Sequence, residues 1–365
     1  MEMDWLQNIL AAVFSLGDTI GEGLVAISLG FAAKATGIGF LVGGLCMVLF
    51  QSVTPVSFQV EGLTVLSRRT NRDWKSMCYA VMLSGLIGAL MGAMGVFNSI
   101  VVYIGEAIQG GMMVGAGLIL AIVSFELLKE NWKIGTVSAV FAYGLYIFVP
   151  SPDWGLIIAL TGSVLASIAM GRVLGNFEPI AADIQNEKIF FVPRSLKEIT
   201  DYLKKPEVIR AALAVLALRV GTSIAYGGIN SEILAKVPAN PDAVNITAGI
   251  ASFFSGMFGG ANVEPIVSVT AGASAPILSG VLLLVLMGVI LLCGLLPKIG
   301  RWVPMQSVSG FLLVVSTMVI IPQYLPVLSQ DPVPGTVAAV VTAAAIDPFL
   351  GMVVAVILRF CLGLV

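Results

Sequence analysis

The residues of this chain best placed to do chemistry are ionisable groups set inside uncharged, membrane-grade segments. The stretch Phe253 to Pro276, FFSGMFGGANVEPIVSVTAGASAP, is broken at its middle by Gly259-Gly260 and Glu264-Pro265. A carboxylate at bilayer depth is costly, and a helix broken there leaves backbone groups that lipid cannot satisfy. Both are tolerated where the backbone faces a polar cavity inside protein, which is how a carrier builds a substrate site. Glu61 lies in a second interrupted stretch, SVTPVSFQVEGLTV, and Arg219 in LALRVGTS. Asp18 and Glu22, in LGDTIGEGL, stand at i and i+4 and share one helix face. Four acids against one base cannot all be ionised in a low-dielectric interior. Some must hold a proton through part of a working cycle. The pattern fits proton coupling, with Glu264 the first candidate and Glu61, Asp18 and Glu22 beside it.

Each of these residues carries more than one reading. Glu264 can accept two N–H donors from a planar heterocycle and so bind and couple at once; equally, it can cap a half-helix. Arg219 either binds an anionic group or serves as counter-ion to Glu264 or Glu61, the ion pair being preferred. Asp18 and Glu22 line a cavity or lie near a membrane surface. Phe58 can stack on a planar ring or simply pack. Gln59, Asn262 and Gln306 are further hydrogen-bonding groups for a substrate.

Other chemistry lacks its usual residues. The chain has no histidine, so metal chemistry and histidine-based nucleophilic catalysis lose their common players, and a proton relay must run on carboxylates. Cys46, Cys78, Cys293 and Cys361 have no metal-ligand spacing and read as small core residues. A net charge of −2 gives no nucleic-acid signal. No catalytic residue, metal or cofactor is expected, and no enzyme.

The elements that must position these groups follow from composition. The chain is 58% hydrophobic and 11% charged, with mean hydropathy +1.00. A soluble domain of this length has too little interior to hide that much apolar surface, so the fold class is an all-α polytopic membrane protein. The start, MEMDWLQNIL, has no basic n-region, and no cleaved signal peptide is expected. Hydropathy and Gly/Pro punctuation predict about fourteen spans. They fall near 7–30, 36–52, 53–67, 76–96, 105–126, 133–150, 154–172, 207–227, 241–258, 259–274, 276–296, 303–322, 333–347 and 349–364. A polar linker, 173–206, separates a first half (1–172) from a second (207–365). The halves are faintly alike: Ala107 to Ser124 resembles Pro304 to Ile320, and the two interrupted stretches occupy matching places. An odd number of spans per half makes the copies inverted in the membrane, and the paired short segments mark the site.

GGANVEPIVSVTAGASAP resembles the signature of the nucleobase/ascorbate transporters, the xanthine, uracil and guanine/hypoxanthine permeases, and SVTPVSF is similar to that family's third-span strand. The resemblance implies a seven-plus-seven inverted repeat. A core domain (about 1–96 and 207–296) and a gate domain (about 105–172 and 303–365) would follow, with a short strand and half-helix in spans three and ten. Glu264 would be the substrate-binding carboxylate and Phe58 the third-span aromatic. The implied activity is proton-coupled uptake of a purine or pyrimidine by an elevator movement, in the plasma (inner) membrane, and a homodimer is implied. One departure stands out: Arg219 occupies a neighbourhood where that family often has an acid, while the related sulfate permeases share the architecture but tend to carry a base where Glu264 stands. Alternatives are therefore an anion carrier of sulfate-permease type using Arg219, a carrier of a small organic cation, or a non-transporting scaffold. The expense of in-membrane carboxylates argues against the last.

Basic residues are lopsided. Arg68, Arg69, Arg72, Lys75, Lys129, Lys133, Lys298 and Arg301 fall on one side by this span count, with the basic residues of the linker, and Lys236 is the main loop exception. The positive-inside rule makes that side cytoplasmic, whereas the resemblance implies termini inside.

Overall fold

The computed structural model describes residues 4–28, 30–149, 154–174, 191–192, 195–296, 298, 304–330, 334–346 and 348–362. In the first half, α1 (Trp5–Ser28), α2 (Ala33–Leu49), β1 (Val56–Ser57), α3 (Val60–Arg69) and α4 (Trp74–Ala93) precede α5 (Val96–Glu130), α6 (Trp132–Phe148) and α7 (Gly155–Leu174). The linker holds α8 (Leu196–Leu203), and α9 (Pro206–Gly228), α10 (Pro241–Met257), β2 (Glu264–Pro265) and α11 (Pro276–Leu292) follow. The last helices are α12 (Ser309–Val314), α13 (Ile321–Gln330), α14 (Pro334–Ala345) and α15 (Pro348–Cys361). A π-helical turn, Ile229–Ala235, extends α9, and another, Val315–Ile320, joins α12 to α13.

The breaks have local causes. Asp73 caps α4 by accepting from Ser76 N at 3.1 Å, and Asn240 caps α10 by accepting from Ala243 N at 3.1 Å, with Pro241 in the first turn. The predicted span 105–126 is the second part of a longer helix. α5 begins at Val96 and breaks at Gly105, whose φ of 73° and ψ of 170° lie in a region essentially reserved for glycine. The tenth span departs from expectation. No half-helix follows β2; a single 3₁₀ turn, Val269–Gly272, leads to α11. Pro265, Gly272 and Pro276 bracket a run rich in β-branched residues, and the Ser268 side chain accepts from Thr270 N, offering the backbone a turn instead of a helix.

Helices α1–α4 pack with α9–α11, and α5–α7 pack with α12–α15. Within the first group α4 lies antiparallel on α10 at close range: a Cβ on Gly85 would stand 2.6 Å from Gly249 O. Without a hydrophobic drive between helices in lipid, such small-residue contacts let backbones approach and dispersion do the work. The two strands meet at the centre of this first group as an antiparallel pair, Val56 opposite Pro265 and Ser57 opposite Glu264. β1 enters from one end of the bundle and β2 from the other. The helix directions place Arg69, Arg72 and Lys75 at the end opposite Asp242, the end to which the α10 terminus and α8 also belong.

Candidate functional site

A two-residue strand pair inside a helical membrane bundle leaves both its edges without ladder partners, and lipid supplies none. Side chains fill the gap. Thr36 Oγ1 accepts from Ala261 N at 2.8 Å, and Ser255 Oγ donates to Ala261 O at 2.5 Å. Ser252 Oγ accepts from Val263 N at 3.1 Å and reaches Val263 O at 2.7 Å. Gln59 Nε2 donates to Pro265 O at 3.0 Å. Ile266 N donates to Pro55 O at 3.1 Å. Asn230, fully buried on the π turn after α9, donates to Ile266 O at 2.7 Å and accepts from Ser268 N at 3.0 Å. The broken stretch is thus held extended along most of its length by polar groups from α2, α10 and the end of α9.

Arg219 and Glu264 occupy the centre of this arrangement, 0% and 1% exposed. Arg219 Nε lies 2.9 Å from Glu264 Oε2 and 3.1 Å from Oε1, and its Nη2 lies 2.8 Å from Oε1. The same Nη2 reaches Asn262 Oδ1 at 2.8 Å and Ser252 Oγ at 3.1 Å, while Nη1 donates to Ser84 O at 3.0 Å. Asn262 Nδ2 donates to Glu264 Oε1 at 2.6 Å. A guanidinium forked onto a carboxylate and satisfied at each nitrogen is the geometry in which a buried ion pair offsets its desolvation. The fork ties α9 to β2, Ser84 brings in α4, and Ser252 brings in α10.

Of the residues singled out in the sequence, the fold brings Glu264, Arg219, Asn262 and Gln59 together. Phe58 is placed differently. It is 1% exposed, with its ring 5.2 Å from that of Phe40 and its edge against Gly23. Residues alternate along a strand, and Phe58 shares the core-facing side with Val56, which meets α2 at Gly43. Gln306 is not at the crossing at all: its Nε2 donates to Glu130 Oε2 at 3.1 Å in the other helix group. Glu22 is half-buried in α1. The side chains of Asp18 and Glu61 lie outside the described residues, though their backbones fall in α1 and in the first turn of α3.

Ser57, the cross-strand partner of Glu264, carries no signal in the sequence that singles it out. It is 1% exposed and its Oγ has no hydrogen-bond partner. It sits three residues before α3, whose first-turn N–H groups have no intrahelical acceptor and carry the positive end of the helix dipole. That turn abuts the charge network, since a Cβ on Gly62 would lie 3.4 Å from Asn262 Nδ2. Ser252, Ser255, Thr36 and Asn230 were also missed. Their only sequence signal is a small polar residue inside an apolar helix, a signal many structural serines share.

No protein-family model matches the sequence, and no curated protein matches it. Solved structures do. The transmembrane domain of a cyanobacterium bicarbonate transporter, BicA, aligns over 96% of this chain and 97% of its own length, with 17% identity and a TM-score of 0.56. SLC26A9 aligns over 98% of this chain and 65% of its own, at 12% identity and a TM-score of 0.57. The murine Slc26a9 anion transporter in the inward-facing state aligns over 100% of this chain and 69% of its own, at 14% identity and a TM-score of 0.51. Among the described residues five helices are long and apolar enough to cross a membrane. The chain shares the fold of these transmembrane domains and is an integral, multi-pass membrane protein.

Proposed function

We propose that the protein is a secondary-active carrier of a small anion. The observation that carries this reading is the fork of Arg219 on Glu264. Glu264 Oε1 already accepts from the guanidinium and from Asn262, so the carboxylate is poorly placed to take the paired N–H edge of a nucleobase. The pair is neutral as a unit. What it leaves at the crossing is a set of donors: the Ser57 hydroxyl and the first-turn N–H groups of α3, at the positive end of that half-helix. Donors of this kind suit an anion better than a heterocycle or a cation. Arg219 acts here by holding Glu264 and Asn262 in place, each of its nitrogens having a protein acceptor. The neighbours named as bicarbonate and anion transporters support the same choice.

The movement we propose is of α1–α4 with α9–α11, as a core, against α5–α7 with α12–α15, as a gate, the two halves of the chain forming an inverted repeat. The crossing lies wholly within the first group, so carrying it past the second would alternate its exposure. Residues 96–104 belong with the core in this scheme. Asp242 Oδ1 and Oδ2 accept from Phe97 N at 2.9 Å and Asn98 N at 3.1 Å, tying the start of α5 to α10. The chain then turns at Gly105, where Arg359 Nη1 donates to Ile104 O at 3.2 Å. If a proton is coupled, Glu61, Glu22 and Asp18 are the carboxylates to carry it, because Glu264 is already engaged by Arg219 and Asn262.

Purified protein in proteoliposomes tests the substrate class, with labelled bicarbonate, chloride and sulfate run against uracil and xanthine. Saturable uptake of one of the anions, and none of the bases, is expected. Saturable nucleobase uptake with no anion flux would restore the permease reading and sink this one.

A further inference from the structure

We infer that the end of the molecule formed by α8 and the starts of α4 and α9 is a docking surface for the headgroups of anionic phospholipids. α8 is a short amphipathic helix, capped by Ser195, which accepts from Glu198 N at 3.1 Å. One face is fixed to the helices beneath it. Tyr202 stacks on Tyr79 with ring centroids 4.5 Å apart and planes 13° from parallel, Ile199 packs on the same apolar cluster, and Lys75 Nζ lies 2.7 Å from Glu198 Oε1. The other face presents Lys197 and Lys204, both exposed, and Lys205 Nζ sits 3.7 Å above the Tyr202 ring.

The surroundings set the depth of this face in the bilayer. Arg210 is exposed one turn into α9, and beside it Ile209 and Leu213 are 38% and 52% exposed. Apolar side chains bare on a spanning helix meet lipid tails, so the guanidinium next to them stands at headgroup height. Phe191, 56% exposed and edge-on to Phe258, adds an aromatic group on the same end, as interfacial belts do. Arg69 and Arg72 are exposed on the turn between α3 and α4.

Charge complementarity then names the occupant. Among the described residues of this end, 69–75 and 195–210, seven side chains are basic and four acidic. Two of the acids are engaged: Asp73 caps α4, and Glu198 holds Lys75. A third, Glu207, stands in the first turn of α9, where the helix dipole favours it. Arg69, Arg72, Lys197, Lys204 and Arg210 face outward, with the fourth acid, Asp201, exposed among them. A cluster of this kind, on an amphipathic helix and at the foot of spanning helices, attracts anionic lipid within a Debye length of the membrane surface. Because α8 packs on α4 and α9, lipid held there is held on the first helix group.

The test uses the full chain in neutral detergent and needs no transport, so its failure leaves the carrier reading untouched. Unfolding midpoints and retained lipid, the latter by native mass spectrometry, are measured with phosphatidylglycerol, phosphatidylcholine and inorganic phosphate. Phosphatidylglycerol alone is expected to raise the midpoint and remain bound. In the Lys197→Gln, Lys204→Gln, Lys205→Gln, Arg210→Gln variant its apparent affinity should fall by about tenfold or more. Equal effects of the two lipids, an equal effect of free phosphate, or an unchanged phosphatidylglycerol shift in the variant would each overturn the proposal. Should the variant not fold, salt decides on the unmodified chain: a phosphatidylglycerol shift that survives raised NaCl undiminished is not electrostatic and refutes it.

Discussion

Arg219 has donors on three nitrogens, and Glu264, Asn262, Ser252 and the Ser84 carbonyl receive them. Removing either charge would strand the other where water cannot reach it. Arg219→Met should therefore lose roughly 3–5 kcal/mol of stability, read as a large drop in the thermal unfolding midpoint in detergent. Arg219→Met with Glu264→Met removes both charges and should recover most of that loss. A double variant as unstable as the single one would show that the hydrogen bonds to Ser84 and Asn262, and not the charge pair, hold the crossing. The sequence made this pair readable in outline, because one base among few in-membrane acids must find a partner. Which acid it would find was open between Glu61 and Glu264. That depends on β2 running past α9 at the level of Arg219, which no local pattern encodes.

At the level of elements, α5 departs from its predicted span. Its apolar run predicted one span from residue 105, and the helix does change direction there, but a first segment starts at Val96 and is clamped to α10 by Asp242. Gly105 adopts a backbone conformation closed to residues with a Cβ. Gly105→Ala should cost on the order of 1–3 kcal/mol and slow uptake more than it weakens substrate binding, as measured by flux and by substrate-induced thermal shift on the same preparation. Equal flux in variant and parent would show that this turn does not flex during transport. The tenth span teaches the opposite lesson. The family resemblance implied a strand and half-helix there, yet proline and β-branched residues leave only a 3₁₀ turn after β2. The half-helix dipole at the crossing comes from α3 alone.

For the whole molecule, the contact of Tyr324 with Glu232 joins the two helix groups: Tyr324 Oη donates to Glu232 Oε2 at 3.0 Å. If one group slides past the other, this bond must open. With exposed Cys293 and Cys361 replaced by serine, a short thiol-reactive linker between Glu232→Cys and Tyr324→Cys should arrest uptake while leaving substrate-induced stabilisation intact. Full-rate uptake by fully cross-linked protein would rule out relative movement of the groups. The sequence by itself determined that this chain lives in a bilayer, that it breaks near Pro55 and Pro265, and that two of its in-membrane carboxylates, Glu61 and Glu264, stand at those breaks. Hydropathy and the shapes of proline and glycine are local properties, and they act before the chain folds. The tertiary structure decided what the breaks are for. Only when two strands from opposite halves cross does Glu264 meet Arg219, Ser57 come to face them without a partner, Phe58 turn into the core and Gln306 fall elsewhere. Those outcomes follow from strand register and from which helix passes behind which. They are long-range facts, and they shift the reading of the site from a heterocycle toward an anion.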